Sequence, residues 1–290
     1  MHVFLTGATG FIGSGIVTDL LGAGHQVTGL ARSPEKAKLL EQAGAASLVG
    51  SLDDLNLLKS AAADADAVIH TAFGHDFTKF AENCQKDTLA IEAMGAALKG
   101  TTKPLIATAG AAMITPGRAV TEEDALPPDF PFPRRTEFTT RALAADGVRA
   151  ATVRLGLAHG VGDQGFLKFL IALAREKKVS AYLGDGQNRW SGVQRDDAAR
   201  LFRLIVEQGA TKPVYHAAAE EGIPFKDIAS AIGRGLGVPV EPRDLEHFDW
   251  FAGFAGIDMP EASQLTQEWT GWKPAGIGLI TDLQQSGYFD

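Results

Sequence analysis

Residues 2–13 have the sequence HVFLTGATGFIG, in which an apolar run leads directly into three glycines and then into a helical pattern. In a strand–turn–helix unit, Gly7 permits the tight turn, Gly10 lets a pyrophosphate approach the backbone, and Gly13 lets helix and strand pack closely. The helix N-terminus then offers free N–H groups and a partial positive charge to phosphates. This placement predicts a dinucleotide-binding loop formed by Gly7, Thr9, Gly10, Phe11, Ile12 and Gly13.

The composition is that of an ordinary globular chain, with 290 residues, 45% hydrophobic and 21% charged. A formal net charge of −8 disfavours nucleic acid or an anionic membrane as the main partner. The single cysteine, Cys84, excludes an intrachain disulfide and is interpreted as a packing residue. The sequence has neither a secretory signal nor an apolar run of membrane-spanning length, so we expect a cytoplasmic protein.

Short apolar runs alternate with helical patterns through the first half of the chain, which is typical of βαβ units on a parallel sheet. The strand candidates are residues 2–5, 26–30, 46–49, 67–70, 105–108 and 151–155, with helical stretches at 13–21, 34–43, 52–62 and 79–98. The pattern changes after Leu155, and residues 127–133 are predicted to form a proline-rich loop. The expected fold is α/β, a doubly wound Rossmann sheet with a smaller C-terminal substrate cap.

The expected domain division follows from these patterns. Residues 1–155 form the cofactor-binding Rossmann domain, to which residues 190–217 return, and residues 156–189 and 218–290 form the cap.

The second strand is followed by Arg32 and Ser33, where a site for NAD usually has a carboxylate for the ribose hydroxyls. Arginine and serine can instead bind a 2′-phosphate, which favours NADP(H); the alternative is a solvated surface arginine.

Several motifs in chain order resemble those of the extended short-chain dehydrogenase/reductase family, which includes the sugar epimerases and dehydratases. They are TGATGFIG at 6–13, GSLDD at 50–54, DAVIHTA at 66–72, VRLGLAHG at 153–160, VQRDDAA at 193–199 and GWKP at 271–274. The resemblance covers nearly the whole chain and implies a Rossmann fold. It also implies further cofactor contacts at Ser51, Leu52, Thr71, Ala72, Phe73, Thr108, Leu155, Gly156 and Leu157.

The catalytic motif of that family is missing. Its members use a serine or threonine with Y-x-x-x-K, but none of the three tyrosines, Tyr182, Tyr215 and Tyr288, is followed by a lysine four residues later. If Glu137 matches the glutamate that follows the family's lysine, Asp129 takes the tyrosine position and Pro133 the lysine position. The chain therefore resembles an atypical subgroup that keeps the cofactor fold and loses the usual catalytic set.

Three residues are candidates for the missing chemistry. Thr108 should end a strand within reach of a substrate carbonyl, or it is simply a β-branched strand residue. His159 replaces a tyrosine of the family, and histidine is a common general acid or base in enzymes, although a structural role is the alternative. Arg135, or its neighbour Arg134, could bind a carbonyl or carboxylate, or could be a solvated helix start. His75 and Asp76 could also reach the site from a loop, and no metal-ligand spacing is present.

These features support two kinds of function. The first is an NADPH-dependent oxidoreductase that reduces a small apolar carbonyl or an activated double bond under the cap. The second is a non-catalytic NADP(H)-binding redox sensor, with epimerase- or dehydratase-like chemistry as a further alternative. The aromatic residues Phe248, Trp250, Phe251 and Phe254 are either a substrate wall or the core of the cap, and Trp190 could border the pocket. A homodimer is expected only from the family resemblance.

Overall fold

The structure is a computed structural model that describes residues 1–74, 76–111, 117–285 and 287–289. Its centre is a seven-stranded sheet in which all neighbouring strands pair in parallel. The strands are β1 (His2–Thr6), β2 (Gln26–Ala31), β3 (Ala46–Val49), β4 (Ala67–His70), β5 (Pro104–Gly110), β6 (Arg149–Leu155) and β10 (Val214–Ala217). The predicted Rossmann class is confirmed.

Helices cover both faces of this sheet because alternate strand residues are apolar on both sides. On one face, Val3 and Leu5 of β1 pack against α1, α2 and α7, whereas Phe4 faces α3, α4 and α5. These helices are α1 (Phe11–Gly22), α2 (Pro34–Gln42), α3 (Leu55–Asp64), α4 (Phe80–Leu98), α5 (Thr136–Ala145) and α7 (Arg195–Glu207). The two buried layers hold the carboxyl ends of the strands at one edge of the sheet.

The strand order is β10-β6-β5-β4-β1-β2-β3. The direction of winding reverses between β1 and β4, and open α/β sheets bind their ligands in the crevice outside such a reversal. The glycine loop leaves β1 at this point, and the carboxyl ends of β4 and β5 follow beside it in the sheet. The topology therefore places the candidate site at the carboxyl ends of β1, β4, β5 and β6.

The cap is built from small elements of the second half of the chain. A three-stranded sheet has the order β11-β9-β7, and β12 pairs with β8. The strands are β7 (Leu157–His159), β8 (Ser180–Tyr182), β9 (Arg189–Gln194), β11 (Glu220–Pro224) and β12 (Val240–Pro242); the helices are α6 (Phe166–Lys177), α8 (Phe225–Leu236), α9 (Ala252–Ala255) and α11 (Leu279–Asp282). Helix α10 (Gln264–Thr270) instead packs against β10 and α7 of the main layers. Strand β9 pairs within this small sheet, so the chain rejoins the main layers at α7.

The sequence patterns located most elements to within three residues, but they gave no strand at β7, β9, β11 or β12. These strands are short. β7, β9 and β11 pair with one another and β12 pairs with β8, across sequence separations that a local pattern does not contain. Residues 127–133 contain neither helix nor strand, as their prolines predict. Within the described part of the chain, no helix combines the length and the apolar character needed to cross a membrane. The division into a cofactor domain and a substrate cap stays a prediction.

Candidate functional site

The glycine loop is packed so tightly that two of its positions admit only glycine. Gly7 has φ +73°, and a Cβ there would lie 2.6 Å from Thr71 Oγ1. A Cβ on Gly13 would lie 2.0 Å from the carbonyl oxygen of Gly7. Both distances are far below van der Waals contact, so the turn and the approach of α1 to β1 require these glycines.

The N-terminus of α1 is left open by the same loop. Gly10 occupies the N-cap position without a side chain to cap the helix, and the first turn contains no acidic residue. The first backbone N–H groups of a helix have no acceptor within the helix itself, and here no side chain supplies one. The loop and the uncapped helix therefore fit the pyrophosphate of a dinucleotide, which would meet the N–H groups near Phe11, Ile12 and Gly13.

Two turns, after β2 and after β3, hold the residues predicted to bind the adenosine end of a dinucleotide. Arg32 is exposed after β2, and no carboxylate of the described residues lies within ion-pair distance of it. Ser33 caps α2 by accepting from Lys36 N at 3.4 Å, and its hydroxyl bonds Glu35, which lowers the pKa of that carboxyl. Ser51 and Leu52 belong to the turn after β3, in which Asp54 Oδ2 accepts from the amide of Ser51 at 2.7 Å.

The segments that follow β4 and β6 lie at the same edge of the sheet. Thr71 Oγ1 donates to the carbonyl of Thr6 at 2.9 Å, which holds Thr71, Ala72 and Phe73 beside the glycine loop. Gly156 separates Leu155 from Leu157, and a Cβ there would lie 2.8 Å from Ser191 Oγ. The sequence-predicted cofactor residues are thus brought to one edge, and their contacts with a cofactor stay predictions.

Thr108 ends up in an unusual position. It lies near the carboxyl end of β5, its residue is 8% exposed, and its hydroxyl is a buried oxygen without a hydrogen-bond partner among the described residues. Buried hydroxyl groups are nearly always paired, so an unpaired one at a strand end calls for a ligand or a water molecule. This atom is the feature of the site that most directly indicates a bound polar group.

Arg134 and Arg135 point to different partners. The Arg134 guanidinium donates from Nη2 to the carbonyl of Thr108 at 2.7 Å and stacks over the ring of Phe73 at 4.1 Å. Arg135 instead lies over Phe138 at 3.5 Å and donates to the carbonyl of Phe130 at 3.2 Å. The structure therefore places Arg134, and not the favoured candidate Arg135, at the end of β5.

Arg134 is held by a buried polar network that sequence reasoning missed. Asp87 of α4 is fully buried and accepts from Arg134 Nη2 at 3.1 Å, from Thr136 Oγ1 at 2.5 Å and from His70 Nε2 at 3.2 Å. His70 Nδ1 is 2.7 Å from Thr6 Oγ1, directly before the glycine loop. We call these residues, Thr6, His70, Asp87, Arg134 and Thr136, the strand-end network.

The charge state of Asp87 is set by its neighbours. Burial alone would raise the pKa of this carboxyl, but Arg134 and the hydrogen bond from His70 outweigh burial and lower the pKa to about 2. Asp87 is therefore an ionised partner for Arg134 at neutral pH. A signal was present in the sequence, because Asp87 shares the apolar face of α4 with Cys84, Ile91 and Met94 at helical spacing.

His159 lies in a second network at the edge of the cap. Its residue is 1% exposed, and Nδ1 donates to Asp282 Oδ2 at 2.7 Å. Tyr288 donates its hydroxyl to the same oxygen at 2.6 Å and accepts from the amide of Gly160 at 2.6 Å. We call His159, Asp282 and Tyr288 the cap network. Its geometry favours the structural alternative for His159.

Of the two loop candidates, Asp76 lies within the described residues. His75 lies outside the described residues. Asp76 is exposed and begins a 3₁₀ turn, Phe77–Lys79, in which its Oδ1 accepts from Thr78 N at 3.1 Å and from Thr78 Oγ1 at 2.5 Å. In the part of the chain that the structure describes, no group of three His, Cys, Asp or Glu side chains is placed to hold a metal ion.

A row of aromatic rings joins the sheet edge to the cap. Phe73 contacts Phe80 with ring centroids 5.9 Å apart, Phe80 contacts Phe132 at 5.5 Å, and Phe132 contacts Phe254 at 6.5 Å. Phe254 continues into the cap through Phe166, at 5.2 Å. These five rings are half-buried, and the loop that replaces the missing catalytic motif supplies Phe132.

The other aromatic candidates separate into core and surface. Phe248, Phe251 and Trp190 are buried in the core of the cap. Trp250 is 41% exposed, although it packs against Phe169 at 4.6 Å. The choice between a substrate wall and a cap core therefore differs from residue to residue. Phe254 contacts Phe132 of the row, whereas Trp190, Trp250 and Phe251 contact Phe166 at its cap end.

Comparisons with known proteins agree with this geometry. The model of the NAD dependent epimerase/dehydratase family matches residues 3–218. An uncharacterized protein of Schizosaccharomyces pombe is 46% identical over 100% of both chains, and one of Saccharomyces cerevisiae is 41% identical over 98% of both. The 2'-dehydrokanamycin reductase of Streptomyces kanamyceticus is 29% identical over 99% of this chain and 80% of its own.

Solved structures share the fold at lower identity. The dTDP-glucose 4,6-dehydratase of Bacillus anthracis, in complex with NAD, has a TM-score of 0.77 and 16% identity, covering 100% of this chain and 96% of that one. The family resemblance inferred from the motifs is confirmed.

Proposed function

Because this chain belongs to the NAD dependent epimerase/dehydratase family, we propose that it is an NADPH-dependent reductase of a small apolar carbonyl compound or activated double bond. The family is described as NAD dependent, and two of the similar proteins are a 2'-dehydrokanamycin reductase and a 2-alkyl-3-oxoalkanoate reductase. The observation that carries the finer proposal is the unpaired, buried hydroxyl of Thr108 at the end of β5, two strands away from the glycine loop. When bound, the reduced nicotinamide supplies the reducing equivalents.

Cofactor binding is assigned to the residues that the sheet edge brings together. The glycine loop from Gly7 to Gly13 would take the pyrophosphate. The remaining contacts are assigned to Ser51, Leu52, Thr71, Ala72, Phe73, Leu155, Gly156 and Leu157. Arg32, exposed and without an ion-pair partner among the described residues, supports a 2′-phosphate and therefore NADPH over NADH.

Substrate binding is assigned to Thr108 and to the aromatic row. In this proposal, the Thr108 hydroxyl donates a hydrogen bond to the substrate oxygen, which would give the buried hydroxyl its missing partner. The rings of Phe132 and Phe254 border the space between sheet edge and cap, and their apolar surfaces favour an apolar substrate. His159, with its Nδ1 committed to Asp282, has no assigned part in the chemistry.

Steady-state kinetics on a panel of aryl and alkyl aldehydes and ketones test the proposal. The wild-type chain should oxidise NADPH in preference to NADH, and Arg32→Glu should lose that preference while the matched surface variant Lys38→Glu keeps it. Thr108→Val should lower kcat/KM by about 100-fold, since one donor to a developing oxyanion is worth that order, and Thr108→Ser should restore most of it.

Two results would contradict the proposal. One is equal affinity for NADPH and NADH. The other is tight NADPH binding without turnover of any carbonyl or activated double bond in the panel. That second outcome would favour the alternative function, a non-catalytic NADP(H)-binding redox sensor, for which the missing Y-x-x-x-K is the supporting observation.

A further inference from the structure

We propose that Arg134 is a catalytic residue that binds the substrate oxygen together with Thr108, and that the strand-end network exists to aim its guanidinium. This inference rests on the proposed reductase function and deepens it. The sequence left Arg134 as the alternative to Arg135, and the contacts at the end of β5 decide between the two. A catalytic role for Arg134 also explains how a chain without the Y-x-x-x-K tyrosine and lysine can still stabilise negative charge on an oxygen.

The Nε and Nη2 groups of the guanidinium are held by hydrogen bonds, whereas Nη1 is not. Nη2 donates to the carbonyl of Thr108 at 2.7 Å and to Asp87 Oδ1 at 3.1 Å, and Nε donates to Thr136 Oγ1 at 3.1 Å. Nη1 makes no hydrogen bond with any residue that the structure describes. The two protons of Nη1 are therefore available on a group whose plane is already set by four contacts, counting the Nε–Asp87 distance of 3.5 Å.

The guanidinium belongs to the sheet-edge site. The guanidinium carbon lies 4.1 Å from the centroid of Phe73, which follows β4, and Nη2 binds the backbone of Thr108 in β5. Both residues are among those assigned to the cofactor and substrate. The side chain of Arg134 is 16% exposed, whereas that of its partner Asp87 is fully buried. The cation thus keeps partial access to solvent, whereas its counter-ion is fully buried.

The network keeps the guanidinium in place. Asp87 is ionised and buried, and a buried carboxylate without a cation is strongly unfavourable, so Arg134 cannot leave Asp87 at small cost. Asp87 is tied through His70 to Thr6, at the start of the glycine loop. A donor that is oriented before substrate binds costs no reorganisation during the reaction, which is the condition for strong stabilisation of a developing charge.

The chemical step balances without a further side-chain acid. A bound reduced nicotinamide would supply a hydride from one of its C–H bonds and would itself be oxidised. The carbonyl carbon gains the new C–H bond, the C=O π bond breaks, and its electron pair moves to oxygen. Arg134 Nη1 and Thr108 Oγ1 donate hydrogen bonds to that oxygen. An arginine does not give up its proton in proteins, so the proton of the product hydroxyl comes from water.

Arg135 provides a matched control. It is the next residue, has the same charge and is also half-buried, but it lies over Phe138 and binds the carbonyl of Phe130. Arg135→Met and Arg134→Met therefore remove the same groups from neighbouring positions. Only Arg134→Met removes a donor from the end of β5.

The test combines kinetics with a binding measurement that needs no turnover. With 4-nitrobenzaldehyde, Arg134→Met should lower kcat/KM by about 100-fold or more, the loss expected for one oxyanion donor, with the NADPH Kd changed less than about threefold. Arg134→Lys should recover part of the loss, because the charge returns without the fork. Benzoate, a carboxylate analogue, should bind wild type and Arg135→Met in the presence of NADP⁺ and should not bind Arg134→Met, as detected by saturation-transfer NMR.

A double variant separates a loss of function from a loss of stability. Arg134→Met alone leaves Asp87 buried without its cation, so Asp87→Asn/Arg134→Met is measured as well, and thermal unfolding shows which variants are folded. The inference is overturned if a folded Arg134→Met variant keeps turnover and benzoate binding, if it loses only NADPH affinity, or if wild type binds no benzoate. Wild type that binds benzoate through Arg134 but reduces no carbonyl would instead contradict the proposed function alone.

Discussion

The strand-end network and the cap network each contain a buried histidine–aspartate pair, but they differ in whether every donor has a partner. In each, a buried histidine donates to a buried aspartate: His70 to Asp87, and His159 to Asp282. The cap network is closed, because Asp282 also takes the Tyr288 hydroxyl and that hydroxyl takes the amide of Gly160. The strand-end network stays open, because Arg134 Nη1 has no partner among the described residues. A histidine beside a carboxylate is therefore not enough to identify a reactive site. A hydrogen-bond donor without a protein partner, such as Arg134 Nη1, is the more useful indication.

The open network should be the more costly one to break. Asp87→Ala leaves Arg134 and the fully buried His70 without their common partner, and removing one member of a buried ion pair costs about 4 kcal/mol. Urea unfolding at pH 7 measures this loss. The control Asp53→Ala removes an exposed partner of Lys86 and should cost less than about 1 kcal/mol. A loss in Asp87→Ala no larger than that of the control would contradict the assignment.

The closed network should affect stability alone. Asp282→Ala removes the acceptor of both His159 and Tyr288, which we expect to cost about 3 kcal/mol of unfolding free energy, the value of two hydrogen bonds to a charged group. NADPH affinity should stay within about twofold of wild type, since no member of this network is assigned to the cofactor. Tyr288→Phe should show a smaller part of the same loss. A folded Asp282→Ala variant with normal stability but no turnover would reverse the comparison.

Lowering the pH should change the contributions of the two regions to the unfolding free energy in opposite directions. The pKa of Asp87 is lowered from 3.8 to about 2, so its contribution of about 2 kcal/mol is present above pH 4 and is lost as the pH falls towards 2. Near the cap network, burial raises the pKa of the Asp163 carboxyl, so this group destabilises the fold at neutral pH and less so in acid. The unfolding free energies of wild type and Asp87→Asn should therefore converge by about 1 kcal/mol between pH 5 and 3.

The same titration on Asp163→Asn gives the opposite trend. This variant should be more stable than wild type at pH 7, and the advantage should shrink as the pH approaches 4. Both comparisons are differences between variants, so the loss of stability that His216 causes in acid, with its pKa lowered to about 3 by burial and by Arg154, cancels. Parallel curves for all three proteins would contradict the charge states assigned to Asp87 and Asp163.

Local sequence patterns were enough for the Rossmann half. The glycine loop, the alternation of strands and helices, and most boundaries of the sheet were predicted, because each depends on neighbours within one turn or one strand. The short cap strands were missed because Trp190 and Ile223 meet across the β9–β11 pair, far apart along the chain. The sequence favoured Arg135, whereas the structure places Arg134 at the end of β5, and this error has a different cause. Adjacent residues before a helix project in different directions, and their spacing does not reveal which one faces the site.

The sequence by itself determined the family, the cofactor loop at Gly7–Gly13 and the absence of Y-x-x-x-K, since these are properties of residue type and spacing. The tertiary structure decided which polar groups are used and which are free. Asp87, His70 and Arg134 come from α4, β4 and a loop, and they meet only because the parallel strands end at one edge. The glycine loop therefore marks where a cofactor is expected to bind, whereas the Thr108 hydroxyl and the Arg134 Nη1 group, which have no protein partner among the described residues, mark where its chemistry is expected, because the pairing of a donor is decided by packing.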